Sequence, residues 1–471
     1  MMIRKVVFIF LGWLTVVAVA MAIVRLPITY SLTFIAGVAI LISIVTKVIK
    51  PIWVVALVYM IAPFIDVLRA SFLKDMPFIG IYQELILLFL LLNKLILARN
   101  TAKSWHFKIL DLFVILYVFW NLFEVFQSPS ILEGLYVWRW YSIGPLTYLI
   151  FRLYEFQKDE LKVVIFSICI GLAAASAYVF YQYFILGPET AAQISQSLGF
   201  TALYRMGWRL PGPFGSPLVA SASYSILVLF GMALLSTRRF NWLSLCLIGI
   251  GGLAIFFTLS RSGIAISLVG LISIALFNLG RIKYKVIPVV LVMLLVLQFS
   301  YLIPEHNKFL SYITSTSLDS YDADRLAEFD HILTEAATKY PFGIGFAGGG
   351  AVSLQAFELF GGDRTYLPEY LGGDSVFLAT LQTSGFMGFL LIISIYVVLV
   401  YNSIKLLARN LTTPQKIFCL ASLGFFLGTL VSLGNLIDVW PLKLYLWSFG
   451  AIVTNFAKGF HNPLRESGIN V

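Results

Sequence analysis

The feature that most limits the possible folds of this chain is its series of uninterrupted apolar runs of about 20 residues. An α-helix needs about that length to cross the hydrocarbon core of a bilayer. Sixty per cent of its 471 residues are hydrophobic and 12% are charged. In globular proteins roughly a quarter of the residues are charged, so most of this surface must face lipid. The sequence therefore predicts an all-α polytopic membrane protein with about fourteen (12–14) transmembrane helices.

Hydropathy divides the chain into fourteen predicted spans. The segment 135–151 is the least regular, because it contains Arg139 and the Gly144-Pro145 pair, and a tilted or interfacial helix is the alternative. The first run is longer than the apolar core of a signal peptide and another span follows at once, which favours an uncleaved helix. The predicted spans are 6–24, 28–46, 51–68, 79–97, 109–126, 135–151, 161–186, 217–236, 240–259, 263–279, 285–303, 374–402, 415–434 and 439–457.

Basic residues indicate the orientation of these spans. With the N-terminus in the cytoplasm, 21 of the 33 lysines and arginines fall at the termini or in short inner connections. This asymmetry follows the positive-inside rule and does not reverse along the chain. We therefore predict a multi-pass protein of the cytoplasmic (inner) membrane with both termini in the cytoplasm. No segment forms the solvent-exposed basic face that a nucleic-acid partner would require.

Two predicted outer connections are long. Residues 187–216 are rich in glycine, proline and glutamine, and residues 304–373 form the one segment large enough to fold into a small cap. This large outer loop is predicted to contain short helices. These loops divide the chain into four predicted regions. They are the N-terminal helices with the first outer loop (1–200), the core helices with the arginine motifs (201–303), the extracytoplasmic loop (304–373) and the C-terminal helices (374–471).

The large outer loop contains one amphipathic segment, at 322–340. Apolar residues recur there at helical spacing, which predicts a helix that ends before Pro341. Pro341-Phe-Gly-Ile-Gly-Phe346 follows, and its glycines predict a shaped turn rather than a regular element. The apolar positions of the helix are Leu326, Phe329, Leu333 and Ala336.

Arg261 lies in the turn Leu259-Ser-Arg-Ser-Gly263 between two predicted spans. Such a turn places the guanidinium at the membrane face beside the N-terminus of the next helix. Free backbone N–H groups, the helix dipole and the hydroxyls of Ser260 and Ser262 favour an anion there. The alternative is a single interfacial arginine that pairs with lipid phosphate. A charge near the hydrocarbon boundary favours a functional role.

Three further arginines fall on the predicted outer side. Arg205 and Arg209 lie in Tyr204–Pro217, where glycines and prolines can bring the backbone close to a ligand. Arg325 opens the amphipathic helix of the large loop, where pairing with neighbouring carboxylates is the alternative role. Other outer basic residues, such as Lys443, are interpreted as snorkelling groups at helix ends.

Asp374 and Ser375 begin the twelfth predicted span. The carboxylate of Asp374 would face the same compartment as the arginines. An aspartate at this position is also a common helix N-cap, and the two roles are compatible.

Metal and redox chemistry receive no support from the sequence. The four histidines show no ligand spacing, and we predict neither a metal site nor a cofactor. The three cysteines lie in apolar runs without close spacing and are interpreted as small buried residues. They are Cys169, Cys246 and Cys419.

Four ordered motifs resemble those of the bacterial O-antigen ligase and polymerase-like family, which are membrane glycosyltransferases. The resemblance covers roughly residues 200–405 and rests on the order of the motifs and on their common predicted membrane side. The motifs are Arg209-Leu-Pro-Gly-Pro-Phe-Gly-Ser-Pro217, Leu259-Ser-Arg-Ser-Gly263, Arg325 followed by Pro341-Phe-Gly-Ile-Gly-Phe346, and Asp374-Ser-Val-Phe-Leu378 leading into Gly385-Phe-Met-Gly388.

The resemblance implies a donor glycan linked to undecaprenyl pyrophosphate, with arginines that grip the pyrophosphate. It assigns that role to Arg209, Arg261 and Arg325, with an acceptor glycan, membrane lipid, a chain-length regulator and a flippase as partners. Ligases of the family usually have a histidine followed by Asn or Ser at the start of the helix after the long loop. This chain has Asp374-Ser375 there, which favours a polymerase of repeat units.

The expected roles are Asp374 as base or acceptor-orienting group and the arginines as a pyrophosphate clamp, without an obligatory Mg²⁺. One alternative is a ligase that transfers glycan to lipid A core or another acceptor. A flippase or solute transporter is an alternative of a different class, but the polar clusters lie at outer helix ends and no repeat is visible. A cell-wall synthase of the shape-and-division type is a further alternative that has a different motif order.

Overall fold

The fold is known from a computed structural model that describes part of the chain. The described residues are 51–72, 83–91 (without 85 and 89), 107–198 (without 129), 203–204, 207–237, 242–277, 321–346, 375–432 and 440–456. The predicted spans 6–24, 28–46 and 285–303 lie outside them, as do parts of 79–97. The total of about fourteen spans therefore stays a prediction.

The described part is helical except for one pair of two-residue strands. Its α-helices are α1 Pro51–Ile61, α2 Ile65–Phe72, α3 Ile109–Glu124, α4 Ile131–Phe151, α5 Lys158–Tyr181, α6 Pro188–Ser197, α7 Pro217–Thr237, α8 Trp242–Phe257, α9 Arg261–Leu276, α10 Tyr321–Thr338, α11 Val376–Leu407, α12 Thr413–Val431 and α13 Leu442–Phe456. The strands are β1 Leu203–Tyr204 and β2 Gly207–Trp208, which are antiparallel. A π-helix at Gln182–Leu186 extends α5.

Five helices in the described ranges are long and apolar enough to cross a membrane. Three shorter apolar helices lie beside them, and the chain is a multi-pass membrane protein. The bounds of these helices agree closely with the predicted spans, because hydropathy reports lipid exposure directly. The five candidate spans are Ile109–Gln127, Lys158–Leu186, Pro217–Thr237, Val376–Leu407 and Thr413–Val431.

Glycines allow the central helices α7, α9 and α12 to approach closely. A Cβ at Gly263 of α9 would lie 2.6 Å from the backbone oxygen of Ser221 in α7, and Gly270, about two turns further along α9, contacts Leu229. These contacts advance together along both helices, so α7 and α9 run parallel. Small residues at such crossings let backbones approach where apolar burial alone gives no preference over lipid.

Helix α12 runs antiparallel to this pair. Its Gly424 lies opposite Gly270, where a Cβ would be 3.0 Å from the partner Cα, and its Gly428 lies opposite Ile266 at 2.7 Å. Consequently the N-termini of α7 and α9 and the C-terminus of α12 lie at one end of the bundle. We call this end, where α7 and α9 begin, the arginine end.

The segment 135–151 forms part of one continuous helix, α4, with Pro145 inside it. Most of its residues are buried against other parts of the chain. It is not among the helices of the described ranges that are apolar enough to cross a membrane, so the choice between a span and a tilted or interfacial helix stays a prediction. Its Arg139 pairs with Glu84, Nε to Oε1 at 3.1 Å, with both side chains buried. This ion pair explains why a segment of low hydropathy can lie in the interior. The charge of Arg139 is neutralised by Glu84 of another helical segment and does not need water.

Lys443 is not a snorkelling residue, which corrects the interpretation from sequence. Its side chain is 0% exposed at the start of α13. The ammonium donates a hydrogen bond to the backbone oxygen of Trp140 at 2.8 Å and lies 4.9 Å from the centre of that ring. Parallel packing of α4 and α13 positions it in the interior, a contact that hydropathy cannot indicate.

The cysteine interpretation holds for two of three positions. Cys169 and Cys419 are buried, whereas Cys246 is exposed on α8. The prediction that Cys246 is buried was wrong because a lipid-facing position and a core position have the same apolar sequence environment in a membrane helix.

A buried polar cluster joins α3, α4 and α13 at the end of the bundle opposite the arginine end. Arg152 binds Asp111 through two contacts, Nε to Oδ1 at 2.8 Å and a terminal nitrogen to Oδ2 at 2.9 Å. Tyr148 donates to the same carboxylate at 2.6 Å, and Asn455 accepts from Arg152. Each charge thus has several partners, which offset the cost of its burial.

We expect the Arg152→Met variant to be destabilised by roughly 3–5 kcal/mol, because it leaves the Asp111 carboxylate buried without its cation. Thermal unfolding in detergent measures the change. Lys162→Met is the matched control, since its 2.6 Å pair with Asp159 lies on the surface. Equal melting temperatures for the two variants would contradict a structural role of the buried pair.

Candidate functional site

Arg209 and Arg261 both lie at the arginine end. Arg209 directly follows β2 and is half-buried, eight residues before α7 begins at Pro217. Arg261 is the first residue of α9 and is exposed. Because α7 and α9 run parallel and begin side by side, the two guanidinium-bearing segments share one end of the bundle. Their convergence on one ligand at the outer membrane face stays a prediction.

A chain of serines joins the starts of α7 and α9. The hydroxyls of Ser260 and Ser262 lie 2.9 Å apart, and that of Ser262 lies 3.1 Å from Ser221 on α7. Ser221 in turn donates to the backbone oxygen of Leu218 at 3.0 Å. All three serines are buried. They hold the turn beside Arg261, while their predicted role as anion ligands stays a prediction.

The turn before Arg261 combines one unusual backbone conformation, at Leu259, with an ordinary N-cap conformation at Ser260. Leu259 has a φ of +48°, the left-handed region that non-glycine residues rarely adopt. Ser260 occupies the N-cap in an extended conformation without a side-chain cap hydrogen bond. The first N–H groups of α9 therefore rely on other partners, which agrees with the anion-favouring end of a helix.

The loop after Arg209 is tightly shaped. Gly212 has a φ of +61°, and a Cβ there would lie 2.5 Å from the hydroxyl of Tyr224. Phe214 is buried and makes an edge contact with the Tyr224 ring, 5.5 Å between centres. The backbone N–H of Gly215 donates to Asp66 at 3.4 Å. Glycines are thus required for close approach, as the sequence indicated.

Residues 341–346 form a shaped turn that docks on a break in α11, and we call these two segments the glycine latch (341–346 and 382–386). The N–H of Ile344 donates to the oxygen of Gln382 at 3.0 Å, and that of Gly345 to Thr383 at 3.1 Å. In return the N–H of Phe386 donates to Pro341 at 3.0 Å. The latch therefore satisfies backbone groups that the break in α11 removes from the helical ladder.

Three glycines make this contact possible. Gly343, Gly345 and Gly385 have φ values of +95°, +73° and +61°. A Cβ at Gly343 would overlap the backbone of Thr383, and one at Gly385 would overlap the backbone of residues 341–343. Any side chain would separate the two segments.

The end of α3 contacts the latch from the other side. The hydroxyl of Ser128 accepts from the N–H of Phe346 at 3.1 Å. Trp120 donates to the oxygen of Ser384 at 2.9 Å, and the Ser384 hydroxyl donates to Asn121 at 2.9 Å. The latch thus ties the large loop to α3 and α11.

Helix α10 agrees with the predicted amphipathic segment, but its buried face differs. Ile332 and Ala336 are buried against Leu378 and Leu381 of α11, whereas Leu333 is exposed. Of the apolar positions named from the sequence, Ala336 is buried and Leu333 is not, because the rotation of α10 on α11 depends on contacts that sequence periodicity does not contain.

The remaining predicted residues are only partly described. Ser375 is the buried N-cap of α11, and its hydroxyl accepts from the N–H of Leu378 at 3.4 Å. Arg325 belongs to α10, but its side chain lies outside the described part, as do Asp374 and Arg205 altogether. Their roles stay predictions.

Sequence reasoning did not identify Glu124 at the end of α3. It is fully buried, and neither carboxylate oxygen has a hydrogen-bond partner among the described residues. It shares one helix face with Tyr117, Asn121 and Ser128, of which Asn121 and Ser128 contact the latch. This polar face at helical spacing in an apolar span was a usable signal.

Comparison with known proteins gives one finding. Residues 245–393 match the family model described as O-antigen ligase. The stretch is therefore similar to proteins of the O-antigen ligase and polymerase-like kind. The stretch begins in α8, includes Arg261, α10 and the glycine latch, and ends in α11. The resemblance inferred from the motifs is thereby confirmed, and the match indicates glycan processing of the ligase or polymerase kind.

The matched stretch contains Arg261, Arg325, Asp374 and Ser375, and Arg209 lies outside it. No curated protein and no solved structure matches the chain. The location of Arg209 and Arg261 at the same end of the bundle therefore rests on the helix contacts of this structure and not on a relative.

We expect Gly385→Ala to release the latch, because its Cβ would overlap the backbone of residues 341–343. Hydrogen exchange should show faster exchange of the latch amides. Gly187→Ala is the control: its φ is also positive, +81°, but no atom lies within 4 Å. It incurs only the strain of a positive φ with an extended ψ of 145°, about 1–3 kcal/mol, and leaves the latch protected. Unchanged exchange in Gly385→Ala would contradict the latch.

Proposed function

We propose that the chain is a membrane glycosyltransferase that polymerises repeat units linked to a polyprenyl diphosphate on the outer face of the cytoplasmic membrane. The observation that carries the proposal is the shared location of Arg209 and Arg261 at one end of the bundle. Two guanidinium groups from separate segments suit the two phosphates of such a carrier. The O-antigen ligase match over 245–393 supports the same reaction class.

The charge that develops in the reaction explains the preference for arginine. An acceptor hydroxyl attacks the anomeric carbon, the bond from that carbon to the phosphate oxygen breaks, and negative charge grows on the leaving diphosphate. Guanidinium groups near it stabilise the transition state more than the ground state. Arginine also offers two parallel N–H donors to one phosphate, which lysine does not.

The proposed roles follow the sequence motifs. Arg209 and Arg261 hold the diphosphate, with Arg325 and Arg205 as further donors from the outer segments. Asp374 accepts the proton of the acceptor hydroxyl or orients that hydroxyl, a contribution that is typically ~10²–10⁴-fold. Ser375 supports it as the N-cap of α11. The reaction is proposed to need no metal ion.

A ligase reaction is the second candidate, since the matching family is described as O-antigen ligase. Donor binding would be the same in both cases, and the acceptor would differ. Asp374-Ser375 at the position where ligases of the family usually have a histidine favours the polymerase. Transport receives less support, because the described arginine motifs lie at one end of the bundle rather than at its middle.

The arginine clamp predicts that Arg261→Ala abolishes polymer while Arg261→Lys retains part of it, because lysine keeps the charge and loses the bidentate contact. Polymer is measured by gel electrophoresis of the surface glycan in a deletion strain that carries each variant. Arg409→Ala is the control, since Arg409 lies just after the far end of α11. Wild-type polymer from Arg261→Ala would refute the clamp.

Loss of Asp374 separates polymerase from ligase. For a polymerase, we expect Asp374→Asn to leave single repeat units on the final acceptor, because units still reach it without being joined. For a ligase, the same change leaves long polymer on the carrier lipid. Mass spectrometry of the two glycan pools distinguishes these outcomes, and accumulated carrier-linked polymer would overturn the polymerase assignment.

A further inference from the structure

Helix α11 is longer than the hydrocarbon core of a bilayer is thick. Its 32 residues from Val376 to Leu407 would measure roughly 48 Å as a straight helix, whereas the core is about 30 Å thick. The helix is interrupted at Gly385, where the glycine latch docks. The part after this break measures roughly 33 Å, so it is long enough to cross the core alone.

The exposed side of α11 begins directly after the break. Residues 377–385 are all buried, whereas Met387 and Leu390 are exposed. From Met387 onwards, exposed apolar side chains recur at helical spacing, and an apolar exposed face on a spanning helix contacts lipid. Exposed Lys405, with its ammonium 5.6 Å from the centre of the Tyr401 ring, lies near the far end, as is common at a membrane interface. The exposed apolar residues of this face are Met387, Leu390, Val397, Tyr401 and Ile404.

A second lipid-facing stripe ends at the same level, on the candidate span Ile109–Gln127. This span has 19 residues and measures roughly 28 Å, which also matches the core. Its stripe ends at Phe126, which is 70% exposed. The next two residues touch the latch, because a Cβ at Gly345 would lie 2.8 Å from backbone atoms of Gln127 and Ser128. The exposed residues are Ile109, Leu112, Leu116, Phe119, Phe123 and Phe126.

Phe342 is the exposed aromatic residue of the latch, and its backbone lies against the break in α11. A Cβ at Gly385 would lie 2.4 Å from the carbonyl carbon of Phe342. The preceding residue, Pro341, accepts a hydrogen bond from the N–H of Phe386 at 3.0 Å. Phe342 is 62% exposed although the residues after it, 343–346, are buried or half-buried. It is therefore held beside Met387, where the lipid-facing side of α11 begins.

We propose that Phe342 and Phe126 insert into the interfacial layer of the bilayer, so that the glycine latch lies at the edge of the hydrocarbon core. The partner of this surface is phospholipid, because the surface continues two stripes that face lipid. Apolar and aromatic side chains at the boundary between headgroups and acyl chains anchor a segment to a membrane. The segment that follows α10 would thus be attached to the membrane surface as well as to α11. This proposal does not depend on the proposed reaction.

The test measures the surroundings of position 342 in the full-length chain in phospholipid nanodiscs. Cys246→Ala removes the exposed native thiol, whereas Cys169 and Cys419 are buried. In that background Phe342→Cys carries a nitroxide spin label. Electron paramagnetic resonance compares collisions of the label with oxygen, which concentrates in hydrocarbon, and with a nickel chelate, which stays in water. We expect the ratio of oxygen to nickel collisions to be several-fold higher at 342 than at a site in water.

Two labelled sites calibrate this ratio. Leu390→Cys lies on the exposed apolar face of α11 and gives the value for lipid. Asp330→Cys lies on the exposed side of α10 and gives the value for water, because a carboxylate in hydrocarbon is costly. Phe126→Cys is a second test site with the same expected result as Phe342→Cys. All four side chains are exposed, so their replacement removes no core packing.

A ratio at 342 nearer to that of the Leu390 site supports the lipid contact. A ratio nearer to that of the Asp330 site would overturn it and would leave Phe342 available to a protein partner. A water-like ratio at position 126 would also overturn the proposal, since the stripe beside the latch would then end outside the bilayer. Because no glycan is present, none of these results bears on the glycosyltransferase proposal, which polymer formation in the Arg261 and Asp374 variants decides.

Discussion

Backbone hydrogen bonding inside lipid is the constraint on which the candidate site depends. No water is available there to satisfy N–H and C=O groups, so an interrupted helix needs another segment of the chain as a partner. Helix α11 is interrupted at Gly385, and the turn 341–346 supplies the hydrogen bonds that its own ladder loses. The contact requires glycine on both sides, because each approach excludes a Cβ. This explains why the two motifs occur together.

The latch has consequences beyond its own hydrogen bonds. It fixes the rotation of α10 on α11, and it contacts the end of α3 through Ser128. The same hydrogen bonds hold Phe342 at the break in α11. At the same end of the bundle, glycine contacts between α7 and α9 place the segments of Arg209 and Arg261 together. Helices packed closely in this way suit a site that must hold a diphosphate and a glycan in a fixed relative position.

Most of the charged side chains described in the interior are stabilised by contacts with other side chains or with the backbone, not by water. Arg152 and Asp111 join three helices at the end opposite the arginines, Arg139 pairs with Glu84, and the Lys443 ammonium donates to the backbone oxygen of Trp140. Glu124 differs, because its carboxylate has no hydrogen-bond partner among the described residues. Arg261 is also unlike the buried charges, because it is exposed at the start of a helix. A buried carboxylate of this kind and an exposed arginine at a helix start both have the character expected of functional groups at a membrane site.

The sequence by itself determined the class of protein, the bounds of the described helices, the amphipathic helix α10, the shaped turn at 341–346 and the resemblance to the O-antigen ligase family. Each of these is a local property of composition, hydropathy or motif order, which neighbouring residues encode without distant contacts. Tertiary structure alone decided that Lys443 is buried, that Cys246 is exposed, that Ile332 rather than Leu333 faces α11, and that Phe342 lies at the break in α11. In a membrane helix the lipid-facing and protein-facing sides are equally apolar, so the pattern that predicts a span does not contain its partners.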